Sequence, residues 1–178
     1  MEERKIGLKS EQEQDREFDE EVIEVARIAR TVKGGRRIRF RAAVVIGNRN
    51  GRVGIGVDKA NEVMVAVNKA KTKAKKNIID IPIVDETIPF GIDNKFRGAR
   101  VRLLPASLGT GVIAGGSVRV VIELAGIKNL LSKIMGSASK INNIKATYLA
   151  LKKLNLLYQM KKESIDAKPT KVKKTAKK

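Results

Sequence analysis

The stretch from Arg37 to Ile46 does most to narrow what this chain can become. Ile38, Phe40, Ala42, Val44 and Ile46 alternate there with Arg37, Arg39, Arg41, Ala43 and Val45. Successive side chains of a β-strand point to opposite faces, so the pattern predicts a strand with one buried face and three arginines on the other. Lys33-Gly34-Gly35-Arg36 precedes it as a turn or loop, because glycine adopts the positive φ that other residues resist. Gly47-Asn48-Arg49-Asn50-Gly51 follows as a hairpin connection. Val53, Ile55 and Val57 then repeat the alternation on a return strand whose other face carries Arg52, Gly54 and Gly56.

Three arginines spaced two apart are like charges held close together, which gains a protein nothing without an anionic partner. Arginine is also the side chain best shaped for bidentate phosphate contact. Arg49 and Arg52, in and after the hairpin loop, read as an extension of the same concentration of charge. The 178 residues hold 38 Lys and Arg against 19 Asp and Glu, a net charge of +19. Residues 22–158 alone carry 26 basic and eight acidic side chains, so the excess lies in the foldable part and not only in the lysine-rich end. The partner expected from this is a polyanion.

The chain has no His, no Cys and no Trp. That excludes a thiolate nucleophile, a Ser-His-Asp triad, an imidazole base, a zinc site of the usual ligand types and any disulfide. With two Tyr and four Phe as its only aromatics, it also lacks the base-stacking platforms of single-strand binders. Folded RNA, recognised through its backbone and shape, fits better. No apolar run approaches the length of a membrane span, and the start, Met1-Glu2-Glu3-Arg4-Lys5, is unlike a signal peptide. The expectation is a soluble cytoplasmic protein with no membrane partner, no small-molecule substrate, no cofactor and no metal.

Elsewhere the reading is coarser. Val22–Val32 suits a helix through Val22, Val25, Ala26 and Ala29, and equally a strand through Ile23, Val25, Ile28 and Val32. Asp58 is placed as a helix N-cap, with Ala60, Val63, Val67, Ala70 and Ala74 as the buried face of a helix ending in lysines from Lys69 to Lys76. Those lysines suit the helix dipole and phosphate contact equally well. Asp85, Pro89 and Gly91 break the composition and suggest a domain boundary near residue 84. Beyond it come a strand at Arg100–Leu104 with Arg100 and Arg102 on one face, and a glycine-rich loop at Pro105–Ser117. A helix striped by Val118, Val121, Ile122 and Ala125 and closed by Gly126 follows the loop. After an apolar segment at Leu130–Met135, a longer helix from about Lys140 buries Ile144, Tyr148, Leu151 and Leu154.

The glycine loop invites a nucleotide reading, since amides at a helix N-terminus attract anions. A phosphate loop needs Lys after its last glycine, and here Gly115 is followed by Gly116 and Ser117. A kinase is therefore only the second alternative, behind a free-standing double-stranded-RNA binder or RNA chaperone. The nearby Glu123 is expected to form an ordinary surface ion pair with Arg119.

Two strings carry a family resemblance: Thr31-Val32-Lys33-Gly34-Gly35-Arg36 through Gly47-Asn48-Arg49-Asn50-Gly51-Arg52-Val53-Gly54, and Pro105-Ala106-Ser107 through Gly109-Thr110-Gly111-Val112-Ile113-Ala114-Gly115-Gly116. Together they resemble the fifth-protein family of the bacterial small ribosomal subunit, over about residues 18–157. The chain departs from the family pattern at Asp58, where glycine is common, and at Ala29-Arg30, which replaces a frequent Ser-Lys. The resemblance implies an α+β fold. It begins with a double-stranded-RNA-binding-like domain at 18–81, three antiparallel strands and a helix, in which Val22–Val32 is a strand. A small α/β domain with a left-handed βαβ crossover follows at 85–157. An acidic disordered leader at 1–17 and a basic disordered tail at 158–178 flank them.

It further implies a structural role in the ribosome and not an enzymatic one. Such proteins bind small-subunit rRNA at the head-body junction, touch small-subunit proteins four and eight, line the path by which mRNA enters and contribute to translational accuracy. The residues expected to meet RNA begin with Arg27 and Arg30, the tip Lys33, Gly34, Gly35 and Arg36, and the row Arg37, Arg39 and Arg41. Asn48, Arg49, Asn50, Arg52 and Lys59 continue the set. In the second half it is completed by Arg97, Arg100, Arg102, Thr110 and Arg119.

Overall fold

A computed structural model describes residues 18–166 of the chain. Four strands make the first sheet, in the order β1 (Asp19–Val32), β2 (Gly35–Gly47), β3 (Arg52–Ala60) and β4 (Ile78–Asp80), each antiparallel to its neighbour. Helix α1 (Val63–Lys76) joins β3 to β4. Val22–Val32 is thus a strand, and the short β4 adds a fourth to the three expected. The acidic leader lies outside the described residues, although Asp19, Glu20 and Glu21 already belong to β1.

In the second sheet, β5 (Ile92–Phe96), β6 (Ala99–Pro105), β8 (Leu130–Gly136) and β7 (Val112–Ile113) lie in that order. Strands β7 and β8 are parallel and are joined by α2 (Gly116–Ala125), a βαβ unit, and α3 (Lys140–Asp166) follows. Gly126 ends α2 in the left-handed conformation, its amide donating to the Glu123 and Ile122 carbonyls. The long helix α3 continues beyond position 158, where the sequence suggests a disordered tail, as far as Asp166. The rest of that tail lies outside the described residues. No helix among those described is long and apolar enough to cross a membrane.

Two expectations about the first sheet fail, each for a physical reason. Asp58 is no N-cap: β3 runs on to Ala60, with Asp58 opposite Ala42 and Ala60 opposite Phe40. The helix begins only at Val63, and its N-cap Glu62 makes no side-chain capping bond. The second failure is the one-faced strand. From Ala42 to Ile46 both faces of β2 are buried. Ala42, Val44 and Ile46 pack against Ala66, Val67, Ala70 and Ala74 of α1. Val45 instead joins Val53 and Ile55 in the larger core built with α2, α3 and the second sheet. Outside that covered stretch the pattern stops meaning burial: Ile38 is 43% exposed and Phe40 half-buried.

Glycine makes the close packing on β3 possible. A Cβ at Gly56 would lie 1.9 Å from the Ala70 carbonyl oxygen, and one at Gly54 2.5 Å from that of Ala74. Bare backbone at these two points lets α1 lie directly on the strand.

Candidate nucleic-acid interface

Strand β3 pairs with β2 only from Phe40 onward, so Gly35 to Arg39 pair with β1 alone. The β1–β2 hairpin therefore leaves the sheet as a two-stranded ribbon, about 17 Å long at ~3.4 Å per residue. A two-residue turn, Lys33-Gly34, closes it, with Val32 opposite Gly35. Gly34 has φ 90° and Gly35 φ 154°, and a Cβ at either would meet nothing within 4 Å. The tip is thus narrower than the expected loop, since Gly35 and Arg36 already belong to β2.

Register sorts the ribbon's basic residues by face. Arg37, Arg39 and Arg41 share one face, and Arg30 stands directly opposite Arg37 on it, as Lys59 does opposite Arg41. Arg27, opposite Phe40, and Arg36, opposite Thr31, lie on the other face. All except the half-buried Arg41 are exposed, and the Nε of Arg41 is buried without a hydrogen-bond partner. Arg39 and Lys59 line two shallow grooves. One holds Ile28, Arg30 and Arg37; the other turns over the sheet edge to Val65 and Lys69 of α1. The result is one continuous basic surface from the ribbon onto the helix.

The lysine run of α1 divides between structure and surface. Lys71 pairs with Glu20 at the start of β1 and Lys73 with Asp58 at 4.0 Å, and Lys73 lies with Lys69 and Lys76 along one exposed groove that Asp58 also lines.

The hairpin loop Asn48–Gly51 does not extend the arginine row. It lies at the other end of β2, on the order of 35 Å from Arg37 at strand spacing. Here Asn48 Oδ1 accepts from the amides of Asn50 and Arg52, and the amides of Arg49 and Gly51 donate to the Leu124 and Ala125 carbonyls at the end of α2. Arg49 pairs with Asp19 and Arg52 with Asp80. A Cβ at Gly47 would lie 2.2 Å from the Leu124 oxygen, and one at Gly126 2.0 Å from that of Arg49. These residues form a joint between the two sheets.

Residues 18–82 match the family model "Ribosomal protein S5, N-terminal domain", and residues 94–164 match "Ribosomal protein S5, C-terminal domain". Small ribosomal subunit protein uS5 of Thermotoga neapolitana is 47% identical over 138 residues, 78% of each chain. The chain belongs to the ribosomal protein S5 family. Members are structural components of a ribonucleoprotein and not enzymes, so the polyanion is ribosomal RNA and the place is the ribosome, in the cytoplasm.

The second S5 region scatters its expected RNA residues. Arg100 and Arg102, exposed on β6, both donate to Asp93 Oδ2, through Nη2 at 2.8 Å in each case and also through Arg102 Nε at 3.1 Å. The hydrogen bonds from Arg102 and then Arg100 hold the Asp93 carboxyl below its ordinary value, and the same contact raises Arg102. Arg97 occupies the β5–β6 turn at φ 52°, with its guanidinium 5.6 Å from the centroid of Phe96. Thr110 is tied within its loop, its amide donating to the Ser107 carbonyl, while the next amide, Gly111, donates to Asn129 Oδ1. Both amides thus serve the fold. Arg119 is exposed on α2 and makes no ion pair with Glu123, contrary to expectation. Among the described residues no group of three or more carboxylates is placed to hold a metal.

The structure also gathers basic residues that the sequence does not single out. Lys145 lies 5.5 Å from the Phe96 centroid, and with Lys73 and Lys152 it lines a cleft of about 360 Å³ beside Ile55 and Val57. Tyr148 closes that cleft, its hydroxyl donating to the Asn77 carbonyl, and burial pushes its pKa up.

Proposed function

We propose that the chain is a structural constituent of the small ribosomal subunit that grips rRNA phosphates with the ribbon face Arg30, Arg37, Arg39, Arg41 and Lys59. The single observation that carries this reading is the juxtaposition of Arg30 and Arg37 in a stretch with no third strand. Like charges directly opposite each other destabilise a sheet, and phosphates between them remove that penalty. A flat row of guanidinium groups cannot enter the deep, narrow major groove of A-form RNA, so it reads backbone and shape. Lys33 and Arg36 at the tip, with Arg27 on the reverse face, reach a second strand or helix.

In the finer reading, the ribbon tip lies at the head-body junction, the protein touches small-subunit proteins four and eight, and it lines the path by which mRNA enters. Translational accuracy follows from holding these elements in register. The family likeness supports this placement, and so does the rigid joint at Gly47 and Gly126, which lets one chain hold two contacts at fixed separation.

Sedimentation of the native chain in lysate tests the coarser part: it migrates with the small subunit, through washes at moderate salt. Hydroxyl radicals generated from a probe at position 33 test the finer part, with cleavage expected in rRNA of the head-body junction. A chain that stays with free RNA or at the top of the gradient contradicts the ribosomal reading in favour of a free-standing RNA binder.

A further inference from the structure

Asn68 and Thr72 form a ridge along α1, since both line the grooves on its two flanks. On one flank Lys69, Lys73 and Lys76 are exposed, and among the described residues a single carboxylate, Asp58, stands against them. On the other flank Lys71 and Lys75 border a groove of about 790 Å³ that also takes in Phe18, Asp19 and Glu20. Phe18 packs on the core under α1 and so fixes where the chain enters the fold, beside these lysines. The start of β1 already uses the charge around it: Glu20 pairs with Lys71, and Asp19 with Arg49 of the adjoining hairpin loop.

The sequence ahead of Phe18 carries more of the complementary charge. Glu11, Glu13, Asp15 and Glu17 recur at every second position, and Asp19 continues the series. In an extended chain such acids share one face at intervals of about 7 Å, with Gln12, Gln14 and Arg16 on the other. Lysines four apart on a helix stand about 6 Å apart, so the two rows match in pitch. Residues 11–17 span about 24 Å when extended, against about 21 Å for a helix of 14 residues, so they reach from Phe18 along all of α1. Each exposed ion pair is weak, but a tether anchored at Phe18 holds the acids at an effective concentration on the order of millimolar, an advantage that neither a second copy nor a free partner has. Lys69 also lines the groove that holds Arg39 and Lys59. Whatever covers Lys69 therefore blocks the path from the ribbon onto the helix.

We propose that residues 11–17 lie along Lys69, Lys73 and Lys76 of α1 in the free protein, acid against lysine, and give way when RNA takes the same surface. The segment is then an internal stand-in for phosphate. It keeps casual RNA off a strongly basic chain and yields to an RNA that also engages the ribbon. The proposal rests on the phosphate-binding reading only for the competitor, and the docking itself is tested without RNA.

Carbodiimide, which joins a carboxylate to an amine in direct contact, gives that test in the full chain. Unlabelled and isotope-labelled chains are mixed at low salt, treated, and the linked peptides mapped by mass spectrometry. The expected products join residues 11–17 to Lys69, Lys73 or Lys76 within one isotope form, and an excess of random-sequence RNA duplex removes them. Links between the two isotope forms place the segment on a second copy and overturn the proposal, as do links that miss all three lysines, or no links. Binding of the same duplex then separates docking from plain charge. Glu11→Gln, Glu13→Gln, Asp15→Asn and Glu17→Gln together should tighten it about tenfold at low salt, where exposed charges are least screened. In a chain already carrying Lys69→Gln, Lys73→Gln and Lys76→Gln, the same four changes should have little effect. An equal gain in both backgrounds would mean only repulsion between the acids and RNA, and would overturn the proposal. Failure of the chain to sediment with the small subunit counts against the ribosomal reading and changes none of these outcomes.

Discussion

Arg30 and Arg37 stand directly opposite each other in the antiparallel register of β1 and β2, where β2 has no other neighbour. Among the described residues no carboxylate forms an ion pair with either, so the arrangement sets stability of the free protein against affinity for RNA. Arg30→Gln should therefore stabilise the isolated protein by about 0.2–1 kcal/mol at low salt. The same change should weaken rRNA binding. Denaturant titration and a binding isotherm on the one variant check both signs, and a variant that is less stable as well as weaker in binding would contradict this reading of the pair.

Gly56 in β3 and Gly34 in the ribbon turn should respond to a methyl group to very different degrees. Gly56→Ala puts its Cβ 1.9 Å from the Ala70 oxygen and 2.8 Å from the Ala74 amide nitrogen, so α1 must lift from β3. Overpacking of this kind costs about 1–3 kcal/mol, and here backbone leaves little room to relax. Gly34→Ala meets no atom within 4 Å and bears only the strain of φ 90°, about 1 kcal/mol. Thermal midpoints of the two variants should fall in that order, with a much larger drop for Gly56→Ala.

The Asp93 contact gives a pH dependence of known sign. Its carboxyl is held below the ordinary value of 3.8, chiefly by the hydrogen bond from Arg102 and then by that from Arg100. A group with a depressed folded pKa contributes stability above its unfolded value and loses it as pH falls through the folded one. Asp93→Asn should thus be less stable than wild type at pH 7, and the gap should shrink in acid below about pH 4. Urea unfolding at pH 7 and near pH 3 measures it; a gap that stays constant would mean the carboxylate's charge is irrelevant to the fold.

Much of this organisation was legible in the sequence, for reasons particular residues show. The Arg37–Ile46 alternation marks a strand because period two has few other uses, and Gly126 marks a helix end because αL suits it. The burial of Val45 was not legible, since its partners in the core include Val121, Leu124 and Ile144, far along the chain. Asp58 misled because an acid ahead of an alanine-rich run matches an N-cap, while pairing with Ala42 keeps it in β3. Arg49 and Arg52 fall away from the arginine row because two successive hairpins turn at opposite ends of their shared strand. Periodicity leaves Val22–Val32 open between helix and strand, and the family likeness alone marks it as the strand it is. Lys145 and Lys152 carried no signal, because lysines on a helix read as a solvated face until the helix is docked.

The ribbon tip separates charge from fold. Lys33 and Arg36 sit at or next to a turn whose glycines have open space where a Cβ would stand. Lys33→Gln with Arg36→Gln should leave the thermal midpoint of the isolated protein unchanged and reduce small-subunit assembly or decoding accuracy. Gly35→Asp is a less clean probe, because φ 154° penalises any side chain there in addition to the new charge. Normal assembly and decoding with the double Gln variant would make the tip a bystander.

The salt dependence of binding to folded small-subunit rRNA tests the phosphate grip most directly. Each phosphate neutralised contributes about 0.7–0.9 to the slope of log affinity against log salt. Replacing Arg37, Arg39 and Arg41 together by Gln should flatten that slope by up to about three such increments, and weaken binding equally across RNA sequences of the same shape. An unchanged slope, or a large shift in sequence preference, would contradict the claim that the ribbon binds RNA through its backbone.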